Sequence, residues 1–552
     1  MRTKLWKNIC FITLICLFLL NIPFKSITAI SNRISFIVPM RDGEKLAGDL
    51  YTLNPAEPKP VVLIQTPYDK SKYWTQFEQR IPFSLENYNV FITDWRGRFA
   101  SSGAKKTKSN NATDGYDVVE WIAKQVWSNG KIGTYGGSAL GDVQFKTASL
   151  KPPHLVCAVP MVKDYRVDYN TYYFGGEYRK EQIESLEFLQ FLKTEDILSQ
   201  PVKNQYWKKV ENLTDLAPTF SIPMLLITGW FDHYPDKVIR AFCDIQEKSN
   251  PQVRSKHKFI IGPWEHGALG EVKQGSLSFP EAESFDDKEA VRFMDYHLRG
   301  IQNNWDKTPS VRYYQMGEEK WFQAESWKQI PREEVSLYLL PDQKLGYSPL
   351  VCSGFPDSYL YNPSDPTPSF GGKRFSPSNP FLISGPQDQR EKVESRPDVL
   401  VYTSDPLPND LPINGLIRAE IFISSNQLDT DISVRFCDVD PEGRSILMAE
   451  GIQRARFRNS LEKEELLVPE QIYKINIELQ NLALTVLKGN RIRVIVSSAS
   501  YPIFERNPNN GGELYKDNRL LIALNSIYHD FSYPSRIILP IRKLSSKTGG
   551  KK

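Results

Sequence analysis

The feature that most restricts the fold is a recurring unit, a short, continuously apolar, β-rich run that ends abruptly in polar residues. Val61-Val-Leu-Ile64 runs into Gln65-Thr-Pro-Tyr-Asp-Lys70, and Val90-Phe-Ile-Thr-Asp94 runs into Trp95-Arg-Gly-Arg-Phe-Ala-Ser-Ser-Gly103. Runs without polar alternation belong in the centre of a parallel sheet, where both faces are covered. Between Asp114 and Gln125, acidic residues open a segment whose Val118, Val119, Ile122 and Ala123 make one apolar helical face, and Lys131 to Thr134 is the next strand. Val156 to Val162, Ile222-Pro-Met-Leu-Leu-Ile-Thr-Gly229 and the start of His257-Lys-Phe-Ile-Ile-Gly-Pro-Trp-Glu-His266 repeat the pattern. Strand, helix and strand again, with polar loops at the strand ends, predicts an α/β sheet whose ligands gather along its carboxyl edge. Ahead of it, Ile34 to Val38 and Leu46 to Tyr51 flank Arg41-Asp-Gly-Glu44 and predict a hairpin.

The rhythm breaks twice. From Asp164 to about Ser221 come Tyr165, Tyr169, Tyr172, Tyr173, Phe174 and Tyr178, followed by helical segments. An insertion of this kind between two sheet strands is read as a helical cap over the sheet edge, its aromatics packing between cap and core. Beyond Gly300 the chain turns to short β-rich pieces separated by Pro, Gly, Asn and Asp, which predicts a β-sandwich. The Pro, Ser and Gly-rich span from Cys352 to Pro397 is read as a connection. With 552 residues, too many for one core, the expected division is an α/β domain over residues 30–163 and 222–304, a cap over 164–221, and a β domain over 305–552.

Arg2, Lys4 and Lys7 precede an apolar run from Ile9 to Ile22, and Ser26-Ile-Thr-Ala29 offers small residues suited to cleavage, so residues 1–29 read as a secretory signal peptide. An uncleaved anchor is the alternative. Cleavage would remove Arg2, Lys4, Lys7 and Lys25 and no acid, taking the formal charge from +4 to 0. Neither a basic patch nor a nucleic-acid module is expected, and the Lys547 to Lys552 run reads as a polar tail. The remaining cysteines, Cys157, Cys243, Cys352 and Cys437, are too scattered for a zinc site and are expected to be isolated core thiols, with two long-range bridges as the alternative.

Ser138 sits in Gly130-Lys-Ile-Gly-Thr-Tyr-Gly-Gly-Ser-Ala-Leu-Gly141, a strand running through a glycine-dense turn into a helix. A serine at such a tip is exposed for nucleophilic attack, and the following helix aims NH groups at the developing negative charge. The spacing is one residue longer than G-x-S-x-G on the far side, and the alternative is a glycine-rich structural turn. An activated serine needs a base and a carboxylate to orient it. Among six histidines, His266, in a loop after a strand, is the preferred base; His233 and His257 are weaker candidates, and His154, His297 and His529 fall in connections or helices. Asp232 is the preferred acid and Asp236 its rival. The order Ser138, Asp232, His266 is that of α/β hydrolases.

These stretches, with Thr66-Pro-Tyr-Asp-Lys70, Asp94-Trp-Arg-Gly-Arg98, Gly229-Trp-Phe-Asp232, Gly262-Pro-Trp-Glu-His266, Leu428-Asp-Thr-Asp431, Asp438-Val-Asp-Pro-Glu-Gly443 and Arg506-Asn-Pro-Asn-Asn-Gly511, resemble the CocE/NonD hydrolases. That group contains cocaine esterase, α-amino acid ester hydrolases and glutaryl cephalosporin acylases, and is related to X-prolyl dipeptidyl aminopeptidases. The resemblance implies an α/β-hydrolase domain with a helical cap and a C-terminal jelly-roll β-sandwich. It implies Ser138 as nucleophile, His266 as base, Asp232 as orienting acid, and Tyr68 with the Ala139 NH as oxyanion donors. Leu428 to Asp431, Gly443 and Asn507 to Gly511 would maintain the β domain and its contact with the catalytic one. Ala139 and Asn490 depart from relatives that often carry Tyr and His at those places. In the amino-ester type, cap carboxylates hold a substrate ammonium, and Asp164 and Asp168 occupy that region. The expected protein is a secreted or periplasmic serine hydrolase acting on a small-molecule ester or amide, or a short peptide, without metal or cofactor. An X-Pro or aminoacyl peptidase and a catalytically silent binding protein are the alternatives. A homo-oligomer is compatible with large β domains and flat sheet edges.

Overall fold

The computed structural model describes residues 32–73, 76, 81–105, 111–375, 378–379 and 381–543; the expected signal peptide and the Lys547 to Lys552 tail lie outside them. The predicted hairpin forms from β1 (Asn32–Pro39) and β2 (Lys45–Thr52), antiparallel with Ile34 opposite Leu50. The apolar runs become β3 (Lys59–Thr66), β4 (Asn89–Asp94), β5 (Ser128–Gly137) and β6 (Leu155–Met161). A two-residue ribbon, β7 (Tyr173–Phe174) with β8 (Glu177–Tyr178), precedes β9 (Leu225–Phe231) and β10 (Lys258–Glu265). A second ribbon, β11 (Lys273–Gln274) with β12 (Leu277–Ser278), precedes β13 (Val311–Gln315) and β14 (Lys320–Ala324).

Apart from the ribbons these strands form one sheet in the order β1-β2-β4-β3-β5-β6-β9-β10-β13-β14. It is parallel from β4 to β13 and antiparallel at both edges. All of β3, β4 and β9 is buried, as expected of unalternating apolar strands covered on both faces. The cover includes α1 (Asn111–Ala123), which buries Val118, Val119 and Ile122, and α2 (Ala139–Ser149), which buries Val143 and Phe145. The inserted segment contributes α3 (Tyr169–Tyr172), α4 (Lys180–Phe188), α5 (Thr194–Leu198) and α6 (Gln205–Leu213). The sheet domain continues through α7 (Pro235–Lys248) and α8 (Phe285–Met294).

Within residues 305–324, expected in the β domain, Val311 to Gln315 pairs in parallel with β10 and leads into β14, so the first sheet extends to Ala324. The β domain's own strands begin with β15 (Arg332–Leu340) and β16 (Lys344–Gly346), followed by β17 (Asp357–Tyr361) and β18 (Leu400–Ser404). Then come β19 (Leu411–Ser425), β20 (Asp431–Val439), β21 (Ser445–Arg454), β22 (Tyr473–Val486), β23 (Arg491–Ser497), β24 (Ala523–Tyr528) and β25 (Arg536–Arg542). They join in one predominantly antiparallel sheet system, in which Ile417, Ala419, Ile421 and Ile423 of β19 are buried at every second position.

The two sheet systems are stitched together. The Met316 NH donates to the Ala483 carbonyl at 3.1 Å, and the Thr485 NH donates to the Met316 carbonyl at 2.8 Å. The inserted segment is tied to the β domain as well as to the sheet domain. Tyr169, Tyr173, Tyr178, Ile183, Ile197 and Trp207 form a small core of their own, against which Leu461 and Tyr515 pack. Of the insertion's aromatics, Tyr165 joins the sheet domain, edge-on to Phe145 at 5.7 Å and Phe220 at 5.6 Å. Beside that small core, Glu177 of β8 meets Arg454, which also binds Asp431 at 3.0 Å. Arg456 binds Asp429 at 2.7 Å, and the Asn507 amide donates to Asp429 at 2.9 Å and Asp431 at 2.8 Å. The Asp429, Asp431 and Asn507 motifs therefore hold the β domain and anchor the insertion to it. Asn490 donates to Asp438 at 2.8 Å within the β domain. The four cysteines among the described residues are free thiols; Cys157, Cys243 and Cys437 are buried, but Cys352, expected in the core, is exposed.

Candidate active site

The tip between β5 and α2 is a single residue, Ser138, with φ 57 and ψ −121. That backbone region is costly for a residue with a Cβ and tends to be kept where the chemistry needs it. The flanking glycines permit it. Gly136 has φ 139, and a Cβ there would lie 2.6 Å from Leu140 Cβ; a Cβ on Gly141 would lie 3.0 Å from the Met161 carbonyl. The longer spacing thus has a physical reason, since the glycine that lets α2 approach β6 falls at 141. The Ser138 NH donates to the Met161 carbonyl at 2.9 Å, fixing the tip to β6. Ala139 is the first residue of α2, so its NH has no intrahelical acceptor.

Tyr68 follows β3, its NH donating to Thr66 Oγ1 at 3.0 Å. Burial pushes its phenol up to about 12, opposed by the neighbouring Ser138 side chain and the charges of Arg98 and Lys163. It is therefore a neutral donor at ordinary pH. Phe191 of the inserted segment stands edge-on to Tyr68 at 6.2 Å and to Trp95 at 6.2 Å, and Arg98 donates to the Leu189 and Gln190 carbonyls at 3.0 Å.

Asp232 and His266 leave the carboxyl ends of the adjacent strands β9 and β10. These strands approach so closely that a Cβ on Gly229 would lie 2.0 Å from the Trp264 carbonyl, next to a register shift between Gly262 and Glu265. Asp232 is completely buried; one carboxylate oxygen is 2.8 Å from His266 Nδ1, and the other accepts from the Thr228 hydroxyl at 2.9 Å. A carboxylate only accepts, so Nδ1 carries the proton and Nε2 is left as the basic nitrogen. The Glu265 NH donates to Gln274 at 2.7 Å and the Glu265 carboxylate accepts from the Gly275 NH at 2.7 Å, fixing the loop.

The structure therefore places Tyr68 beside Ser138 and joins Asp232 to His266. It places both pairs along the carboxyl edge of the contiguous parallel strands β3, β5, β6, β9 and β10. No hydrogen bond runs from the Ser138 hydroxyl to His266 among the described residues, a contact that commonly tightens only when substrate is bound. Asp236, the rival acid, accepts from the Asn481 backbone NH at 2.7 Å and amide at 2.9 Å and meets no histidine. His257 is buried against Ser249, and His154 pairs with Glu120 at 2.8 Å. Asp164 and Asp168 are buried and face Lys237 and Arg240, with Arg240 to Asp168 at 2.7 Å, so they are not free to hold a substrate ammonium.

His266 has two ring neighbours, the weaker base candidate His233 and Phe375, which the sequence did not single out. The His233 ring lies 4.2 Å from His266, and Phe375, from the supposed connection in the β domain, is 5.2 Å from His266 and 5.0 Å from His233. Burial, followed by the positive field of His266, Arg179, Lys163 and Lys373, holds His233 well below the ordinary histidine range, so it is neutral. Its adjacency to Asp232 was visible in the chain; nothing marked Phe375. Donor atoms of Asp232, His233 and His266 lie within 4.8 Å of one another, the proximity a metal site needs. Both carboxylate oxygens and His266 Nδ1 are already hydrogen-bonded, so the set fits an acid–imidazole relay better than a metal site.

Two family models match the chain. The X-Pro dipeptidyl-peptidase (S15 family) model matches residues 42–195 and 177–268, and the X-Pro dipeptidyl-peptidase C-terminal non-catalytic domain model matches residues 303–538. The cocaine esterase of Rhodococcus sp. (strain MB1 Bresler) is 28% identical over 575 residues, covering 92% of this chain and 98% of that protein. A solved α-amino acid ester hydrolase shares the fold at TM-score 0.80 and 22% identity, covering 95% of this chain and 99% of its own. A CocE/NonD family hydrolase from Staphylococcus aureus does so at TM-score 0.66 and 19% identity, covering 95% and 100%. With an α/β-hydrolase domain followed by a C-terminal β domain, and family matches along both, the chain belongs to the CocE/NonD serine hydrolases.

Proposed function

We propose that this protein is an exported serine hydrolase that cleaves small-molecule esters through an acyl-enzyme on Ser138. The observation that carries the reading is Ser138, held at a strained tip beside the Tyr68 hydroxyl, on the same sheet edge as the buried Asp232–His266 pair. His266 Nε2 removes the proton as Ser138 Oγ attacks the carbonyl carbon, and Asp232 stabilises the imidazolium that forms. The oxyanion is met by the Tyr68 hydroxyl and the Ala139 NH, one such donor contributing about 3 kcal/mol in comparable sites. Collapse expels the alcohol, protonated by His266, and a water deprotonated by the same nitrogen releases the acid.

Residues 164–221 act as a helical cap in this reading, with Phe191 placed over Tyr68, and the β domain is a jelly roll. Export rests on the leader read from residues 1–29. A fluorophosphonate probe tests the chemistry: labelling of Ser138, lost in Ser138→Ala, is expected, whereas folded wild-type protein that resists the probe overturns the reading. The family models also name X-Pro peptidases, so a panel of simple esters, amino-acid esters, acyl amides and X-Pro peptides belongs beside it. Turnover of X-Pro peptides with little turnover of simple esters would favour the peptidase reading.

A further inference from the structure

Two cations near His233, Lys163 and Arg179, have no carboxylate oxygen within the 4.0 Å of an ion pair among the described residues. Lys163 leaves the end of β6 beside the serine tip, its Cβ 3.2 Å from where a Cβ on Gly141 would stand, and its ammonium lies 4.8 Å over the Tyr234 ring. Arg179 makes long hydrogen bonds, at 3.4 Å to the Thr171 carbonyl and 3.3 Å to the His233 carbonyl. Most acids nearby already have partners: Asp164 and Asp168 face Lys237 and Arg240, Asp142 pairs with Lys146 at 2.5 Å, and Asp232 with His266, while Glu181, whose charge also favours the Arg179 cation, accepts from the Phe375 NH at 3.2 Å. An enclosed cation without a counter-ion is expensive to keep. Burial pulls Lys163 down, yet Tyr234, Asp142 and Asp164 hold its ammonium above the ordinary lysine value, so it remains charged.

We propose that Lys163 and Arg179 form an anion subsite of the Ser138 cleft, and that the substrate is an ester carrying a carboxylate. The proposal rests on the serine-hydrolase reading and deepens it by naming the substrate class. The carboxylate belongs either to the acyl part or to the alcohol part. In both cases water cleaves the ester bond to give an acid and an alcohol, while the recognised carboxylate passes through unchanged.

Two matched pairs of substrates separate the cases. 4-Nitrophenyl hemiglutarate against 4-nitrophenyl valerate tests the acyl side, and 4-acetoxybenzoate against phenyl acetate tests the alcohol side. In one pair kcat/KM is expected to favour the charged ester by at least about tenfold, and Lys163→Met or Arg179→Met to remove most of that preference, mainly through KM. Lys163→Arg should restore part of it. A binding readout does not depend on turnover: Ser138→Ala protein should bind glutarate or 4-hydroxybenzoate in calorimetry, and Ser138→Ala combined with Lys163→Met should not. Lys163→Gln serves where the methionine variant does not fold. Wild-type indifference to charge in both pairs, or failure of Ser138→Ala to bind either acid, overturns the subsite. Equal losses on charged and neutral esters would make Lys163 a support for the oxyanion instead, which also overturns it. Acid binding without Ser138 labelling would overturn the serine-hydrolase reading and leave the subsite standing.

Discussion

The molecule buries two clusters of charge, and they are completed differently. Where the insertion meets the β domain, Asp429 is answered by Arg456, Asp431 and Glu177 share Arg454, and Asn507 donates to both aspartates. At the sheet edge, Asp232 faces the His266 imidazole and the Thr228 hydroxyl, while Lys163 and Arg179 have no carboxylate oxygen within ion-pair distance among the described residues. A saturated cluster fixes geometry; an unsaturated one keeps interactions in reserve for a ligand. Both rest on burial, which makes an unanswered charge costly and an answered one strongly directional.

The comparison breaks first at Asp232. Asp232→Asn should lower kcat by about 10⁴-fold without unfolding the protein, because the His266 tautomer is lost while the packing stays; steady-state kinetics with circular dichroism would show it. Arg454→Met should do the reverse, destabilising the fold by about 3–5 kcal/mol through the carboxylates it strands, with kcat of the remaining folded protein little changed. Denaturant titration beside active-site counting separates the two. Tyr68→Phe should reduce kcat by about 10²-fold or more, with a smaller effect on KM.

Proton linkage gives a smaller contrast. Burial, with Asp431 close by, raises Glu177 well above its ordinary 4.5, opposed by Arg454, so the folded state holds a proton that the unfolded chain releases. The associated stability is present below the ordinary glutamate value and is lost as pH rises from there through the folded value. Glu177→Gln should flatten that part of the stability–pH curve; an unchanged slope would show the carboxyl to be ionised in the folded protein. The smallest effect is the form of the rate profile. Since His233 is held neutral, the acid limb of log kcat/KM should have a slope of one, and a slope of two would bring His233 into the titration.

Much of this organisation was readable beforehand, because the information is local. Unalternating strands ending in polar loops can only be the middle of a covered sheet, and Ser138, Asp232, His266 and Tyr68 each stand just past such a strand. What escaped depends on convergence. Val311 to Gln315 is a short β-rich piece like those after it, and only pairing with β10 assigns it to the first sheet. Phe375 meets the histidines from a stretch with the composition of a linker. Lys163 and Arg179 stand out only once the neighbouring acids are seen to lie beyond ion-pair distance, which no spacing along a chain can show.

The loop bearing Asp232 is gripped by the β domain at both ends. Gln480 Nε2 donates to the Trp230 carbonyl at 3.4 Å, and the Asn481 NH and side chain hold Asp236 at the start of α7. Two consecutive residues of β22 thus bracket the acid that orients the base, although all the proposed catalytic residues lie in the N-terminal half. The position of the Asp232 carboxylate is therefore fixed in part by a strand of the other domain.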